Sequence, residues 1–294
     1  MVSYLTRRAH AITGTFSTFD LQATGYRPGY QTVKKGPKNE IEFFSNLPAD
    51  KLETLNAGVR TCNDCRLEGH NLRRSRTRIS HMTRLIAEGQ YFLFAALLAA
   101  LIMSLTFHEF GHAFAAKRFG DDTAERQGRL TLNPLAHIDP LGLLMVVLIG
   151  FGYAKPVPVN PRNYNSFWAQ LVVAAAGPLA NLAIAIVAYN LFLYGVKAGW
   201  PSFADPGVQQ VLTIVVIVNL VLMVFNLIPL GPLDGHYILP YFLPRALAQQ
   251  YRVLNAKYGT YLFLGLILLS IAGVPVFRFV FYVGTSLLPY IRFV

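Results

Sequence analysis

A chain of 294 residues that is 53% hydrophobic and only 14% charged, with a mean hydropathy of +0.39, lies outside the range of soluble domains, where about a quarter of residues carry charge. The composition excludes an ordinary water-soluble protein and indicates an integral membrane one. The net charge of +11 suits anionic lipid beside membrane segments better than a nucleic-acid partner, so no nucleic acid is expected.

The charge is concentrated at the front. Residues 1–90 hold fourteen Lys/Arg and eight Asp/Glu, leaving twelve and seven for the rest. Residues 1–88 contain no long apolar run, so they read as a polar, basic N-terminal extension of low intrinsic stability or as an upstream artefact of the gene model. No apolar h-region follows Arg7-Arg8, which argues against a secretory signal, and Asp20 weakens a transit-peptide reading. Both cysteines lie here, as Cys62-Asn63-Asp64-Cys65 with His70 beyond. One Cys-x-x-Cys is half of a four-ligand zinc site, so free thiols are the favoured reading. Arg66, Arg73, Arg74, Arg76, Arg78 and Arg84 then form a juxtamembrane basic cluster.

A transmembrane domain is expected over 89–294. Tyr91 to Phe107 is unbroken apolar sequence, and the helix is predicted to run on through His108-Glu109-Phe110-Gly111-His112 to Phe119. On a helix, i and i+4 share a face, so the two imidazoles can bind one Zn²⁺, while Glu109, one step round, is placed as general base toward water on the metal. Such side chains are costly in hydrocarbon and mark function there. Leu141 to Ala154 is too short to span and is interrupted by Gly142, Gly150 and Gly152. Lys155-Pro156-Val157-Pro158-Val159-Asn160-Pro161 cannot be helical, and irregular backbone at membrane depth survives only under protein or beside water, so this stretch is expected to line the site. Phe167–Tyr194 and Val208–Leu230 are predicted spans. Tyr261–Val276 and Phe279–Tyr290 form either two short helices or a span plus an interfacial piece.

Two histidines do not complete a catalytic zinc site, which normally takes three protein ligands. After Arg162 the only acids are Asp205 and Asp234. Asp234 follows an apolar span in a Pro/Gly-broken segment that lets a carboxylate turn back toward a neighbouring helix. As a bare acid it would read as a cap or loop residue, but an intramembrane HExxH without its third partner makes it the favoured ligand. His236, His137, Asp139 and Glu125 are the alternatives, with His137 favoured as a hydrogen-bonded structural residue.

Four separated motifs in order carry a resemblance: His108-Glu-Phe-Gly-His112 with Ala113-Phe-Ala-Ala-Lys117; Gly128-Arg-Leu-Thr-Leu-Asn133-Pro-Leu-Ala-His137-Ile-Asp139-Pro140-Leu-Gly142; Ala176-Gly177-Pro178-Leu-Ala-Asn181; and Asn226-Leu-Ile-Pro229 through Leu233-Asp234-Gly235. From about Tyr91 onward the sequence resembles the site-2 protease family of intramembrane zinc metalloproteases, peptidase family M50, in its short form without PDZ or CBS domains. The resemblance implies an all-α polytopic fold with a core of about three catalytic transmembrane helices, flanking helices and a small extended or re-entrant segment. It implies one Zn²⁺ per chain on His108, His112 and Asp234, with Glu109 as general base and Asn181 and Asn226 near the substrate backbone or oxyanion. The implied substrates are transmembrane proteins, commonly tethered transcription regulators or anti-sigma factors, cut in or beside their membrane helix in regulated intramembrane proteolysis. The Lys155–Pro161 stretch, or a strand near it, is expected to meet an unwound substrate by strand addition.

The expected location is a prokaryotic cell membrane, crossed several times. The positive-inside rule places HExxH toward the outer face, whereas the resemblance places it nearer the cytosol, and the sequence leaves that orientation open. The oligomeric state is unknown. The alternative function is a non-proteolytic membrane metal-binding protein, a transporter or a scaffold; a transporter would not need Glu109, and no internal repeat is visible.

Overall fold

A computed structural model describes residues 81–150 and 152–294. Cys62, Cys65, His70 and the basic cluster up to Arg78 lie outside the described residues. Among the described residues the secondary structure is helical throughout, without strands, and four helices are long and apolar enough to cross a membrane. The protein is an integral membrane protein whose described residues form an all-α fold.

Helix α1 (His81–Ala87) leads into α2 (Tyr91–Arg118), whose 28 residues reach about 42 Å at 1.5 Å each. Lys117 and Arg118 in its last turn complement the helix dipole. Gly120, with φ of 95°, turns the chain out of the helix axis. Helix α3 (Pro140–Ile149) starts where the Asp139 side chain accepts the Gly142 N–H, with Pro140 in its first turn, and stops at left-handed Gly150. Its ten residues cover about 15 Å, half of a bilayer core. The chain then runs without helix through 152–160, as the prolines and asparagine of that stretch lead one to expect.

Helix α4 (Ala169–Lys197) carries Pro178 in its interior, and α5 (Pro206–Asn226) is capped by Asp205. Helix α6 runs from Arg245 to Ile271 through a π turn at Asn255–Gly259, and α7 (Arg278–Ser286) is followed by a 3₁₀ turn. The C-terminal apolar sequence is thus two separate helices. The first is longer than expected, because the amphipathic Arg245–Leu254 stretch joins it without a break.

Helix α5 is the centre of the bundle. Ile214, Val218 and Leu222 pack with Leu93, Leu97 and Ala100 of α2, Val146 of α3 and Met82 and Leu85 of α1. Val216 and Leu220 meet Ala185 and Ala188 of α4, and Ile217 and Val221 meet Phe277, Val280 and Phe281 around α7. Half of the most apolar window of α5 is buried, against 6% for α6, so α6 is a peripheral helix. Large apolar side chains such as Leu179, Val187, Leu262 and Leu268 point outward, a surface suited to lipid.

Helices α2 and α4 approach at the level of their backbones, since a Cβ on Gly111 would stand 2.8 Å from the Ala176 carbonyl oxygen. A second close approach joins the start of α3 to the segment that follows it. A Cβ on Gly142 would lie 2.0 Å from the Tyr153 oxygen, and one on Gly152 would lie 2.1 Å from the Gly142 oxygen. Gly142→Ala is therefore expected to destabilise the protein by about 3 kcal/mol or more, read as a lower denaturant midpoint of the purified chain.

Candidate metal centre and active site

His108 and His112 fall on one face of α2, where the ring edges of the two imidazoles meet with Nε2 atoms 3.1 Å apart. Asp234, from the segment after α5, brings Oδ2 to 3.1 Å from His108 Nε2 and Oδ1 to 3.4 Å from His112 Nε2. All three are withdrawn from the surface.

The partners of the far ring nitrogens define what this cluster can hold. His108 Nδ1 lies 2.7 Å from Asn181 Oδ1, and His112 Nδ1 lies 2.7 Å from the Val173 carbonyl oxygen. Both partners are acceptors, so each Nδ1 carries a proton and each Nε2 is the atom left to offer a lone pair to a metal. The Asn181 orientation is fixed independently, since its Nδ2 donates to the Ser104 carbonyl and to Asn219 Oδ1. Two imidazole nitrogens and a carboxylate thus converge, and Asp234 Oδ2 is a buried oxygen without a hydrogen bond. A cation bound between them would satisfy all three groups. Ligands at about 2.0–2.1 Å from a tetrahedral zinc stand about 3.3–3.4 Å from one another, close to the spacings observed. Two imidazoles and one carboxylate, with the imidazoles held through their second nitrogens, are a zinc donor set. Among the described residues this is the one group of three or more His, Cys, Asp or Glu side chains arranged to hold a metal.

Glu109, one residue along α2, is nearly buried, and its Oε2 accepts the Val157 N–H at 2.9 Å. The non-helical segment lies against the site as the sequence suggests, and each end is tied down. The Lys155 N–H donates to the His137 carbonyl at 2.9 Å, the Lys155 carbonyl accepts from Arg129 Nη2 at 2.6 Å, and the Asn160 N–H donates to Asp121 Oδ2 at 2.6 Å. Asp121 also accepts from Thr123 and from Asn163 Nδ2. Burial pushes its carboxyl up, and these hydrogen bonds outweigh burial, holding it below the usual carboxylate range.

The four alternative ligands are engaged elsewhere. His137 is buried with Nε2 on the Thr131 carbonyl, Asp139 caps α3, Glu125 pairs with Lys117, and His236 bonds the Leu233 carbonyl. The two asparagines part company. Asn181 is fully buried, and both of its N–H donors are used, which leaves none for a substrate oxygen. Asn226 Nδ2 donates to Leu222 O, one turn back on its own helix. Asn181→Ala is expected to weaken zinc binding about 10–100-fold, as loss of a ligand's hydrogen-bond partner does. Competition with a chelator measures this; a substrate-contact role would leave zinc affinity unchanged.

Val173 and Asn219 are site elements that sequence reasoning does not single out, and Gly177 and Val157 figure there only as members of a motif and of the non-helical stretch. A Cβ on Gly177 would fall 2.4 Å from His112 Nε2 and 2.6 Å from His108 Nε2. The signal for Asn219 is visible in retrospect, as a lone amide in an apolar span is costly unless paired.

A carboxylate and two imidazoles beside a second carboxylate, enclosed by apolar helices, are the set of groups that a membrane-embedded zinc metallohydrolase would need. The family comparison agrees. The chain matches the model of Peptidase family M50 over residues 96–202 and 195–270, and it belongs to that family, whose members are zinc metalloproteases of the site-2 type. It is 44% identical over 151 residues to YwhC of Bacillus subtilis (strain 168), named a candidate zinc metalloprotease, covering 50% of this chain and 69% of that one. It is 37% identical over 169 residues to Rip2 of Mycolicibacterium smegmatis, likewise named, covering 53% of this chain and 62% of that one. Protease RseP of Yersinia pestis is 30% identical over 131 residues, 40% of this chain and 29% of that one. No solved structure matches the chain. The cofactor is Zn²⁺.

Proposed function

We propose that this protein is an intramembrane zinc endopeptidase that hydrolyses peptide bonds in or next to transmembrane segments of other membrane proteins, in the cell membrane of a prokaryote. The catalytic domain is residues 89–294. His108, His112 and Asp234 hold the metal, and Glu109 is the general base. The observation that carries this reading is the convergence of two imidazole nitrogens and the Asp234 carboxylate beside Glu109, enclosed among apolar helices.

Zinc, when bound there, supplies Lewis acidity that polarises a carbonyl and acidifies water near neutral pH. The protein's own groups do the rest. Asn181 and the Val173 carbonyl hold the two imidazoles in the tautomer that exposes Nε2. The Val157 N–H fixes one oxygen of Glu109, leaving the other to take the proton from the attacking water and pass it to the leaving amine. The strap that supplies this N–H is poor in donors, since Pro156, Pro158 and Pro161 have none. A substrate unwound alongside it is held mainly through substrate N–H groups donating to strap carbonyls. Apolar helices around the site keep bulk water from competing with these contacts.

The test compares protein N-termini in membranes of cells expressing the wild type or Glu109→Ala, which spares all three proposed metal ligands. New termini that map to transmembrane segments and vanish in the variant are expected. Identical termini in both membranes, with zinc retained by the purified protein, would move a transporter or scaffold role ahead.

A further inference from the structure

Asp234 is the only proposed ligand that does not sit on a long helix. It follows Leu227–Leu233, a segment of turns after α5, and a carboxylate there needs something outside α5 to hold it against α2. The structure supplies a fastening from the peripheral helix. The Asn255 side chain accepts the Gly231 N–H with Oδ1 at 3.0 Å and donates from Nδ2 to the Gly231 carbonyl at 3.4 Å, so one amide grips both polar groups of one residue. One turn earlier on α6, Tyr251 Oη donates to the Pro229 carbonyl at 2.9 Å.

The contact is built from the backbone outward. Asn255 opens the π turn Asn255–Gly259, a local widening that is frequent at functional positions. Gly231 has φ of 60°, and a Cβ on it would stand 2.9 Å from the Gly259 oxygen and 2.9 Å from Phe263 Cβ. A Cβ on Gly259 would in turn lie 2.3 Å from Asn255 Oδ1 and 3.1 Å from Gly231 Cα. Two facing glycines let the chains touch, and the amide then locks them. Beyond Gly231 there is little slack, because Leu233 is buried and Gly235 is pressed against the backbone of Leu227 and Ile228. Asn255 thus fixes the start of a three-residue path to Asp234 whose other side is already packed.

We infer that Asn255 is a positioning residue for the metal centre, holding the Asp234 carboxylate toward His108 and His112 through its double hydrogen bond to Gly231. This rests on the reading of Asp234 as a zinc ligand. It also makes α6, with little of its apolar surface buried, mechanically linked to the metal site.

The test is zinc affinity of the purified full chain, measured by competition with a chelator, for wild type, N255A, D234A and D234A/N255A. N255A is expected to weaken zinc about tenfold, the lower end of what loss of a supporting contact costs. In the D234A background the same substitution is expected to change nothing further, because the carboxylate it positions is gone. N255A binding like the wild type, or weakening zinc equally in both backgrounds, overturns the inference. D234A binding zinc like the wild type removes the Asp234 reading itself and this inference with it, whereas loss in D234A without loss in N255A overturns the Asn255 inference alone. Should N255A fail to fold, N255Q, which keeps the amide but displaces it from Gly231 by one methylene, carries the same comparison: weakening that depends on Asp234 is expected, and none overturns the inference.

Discussion

Glu109→Gln is expected to lower peptide hydrolysis about 10²–10⁴-fold while leaving the zinc content at the wild-type level. The substitution is nearly isosteric. A glutamine oxygen can still accept the Val157 N–H that Glu109 Oε2 accepts at 2.9 Å, so the strap stays in place. His108 and His112 keep their partners Asn181 and Val173, so the donor set is untouched. Only the capacity to take a proton is removed. Cleavage of a membrane substrate, once its termini are known, measures the loss, and elemental analysis of the purified variant measures the metal. A transporter that moves metal by ligand exchange would keep its activity in this variant, and unimpaired cleavage would remove Glu109 from the mechanism.

Gly177→Ala is expected to have an equally large effect by a different route. Its new methyl would stand 2.4 Å from His112 Nε2, 2.6 Å from His108 Nε2 and 2.6 Å from His112 Cε1. Those distances are well inside van der Waals contact, so the methyl would crowd both nitrogens proposed to hold the metal. Neither ring can simply step aside, because each is tied at Nδ1, to Asn181 and to the Val173 carbonyl respectively. Withdrawal of α4 would open the close contact between Gly111 and the Ala176 backbone. Zinc affinity is expected to fall by about 100-fold or more, measured by chelator competition. Wild-type affinity in Gly177→Ala would mean that the metal does not lie between these two imidazoles.

How much of this was legible in the sequence follows from what each feature depends on. The i, i+4 histidines and the adjacent Glu109 are local, and helix periodicity alone places them on one face. The long apolar runs reveal themselves by composition, as do the breaks at Pro156, Pro158 and Pro161. Asp234 could be favoured because acids are so few after Arg162, but its proximity to α2 is a long-range fact. The roles of Asn181, Asn219 and Gly177 are likewise set by how α4 packs between α2 and α5, and no local pattern shows whether a buried amide faces a ligand or a substrate. The helical Arg245–Leu254 stretch was missed because its amphipathic, partly charged sequence does not look like the start of a membrane helix. The Val157 contact was invisible for a simpler reason, since a backbone N–H leaves no signature in residue type.

The measurement that bears most directly on the metal centre is zinc-edge X-ray absorption on the purified full-length protein. The account predicts one zinc per chain with a nitrogen and oxygen shell at about 2.0–2.1 Å, the outer-shell scattering of two imidazoles and no sulfur. A shell containing sulfur at about 2.3 Å would instead put the metal on the Cys62–Cys65 pair and contradict the site built from His108, His112 and Asp234.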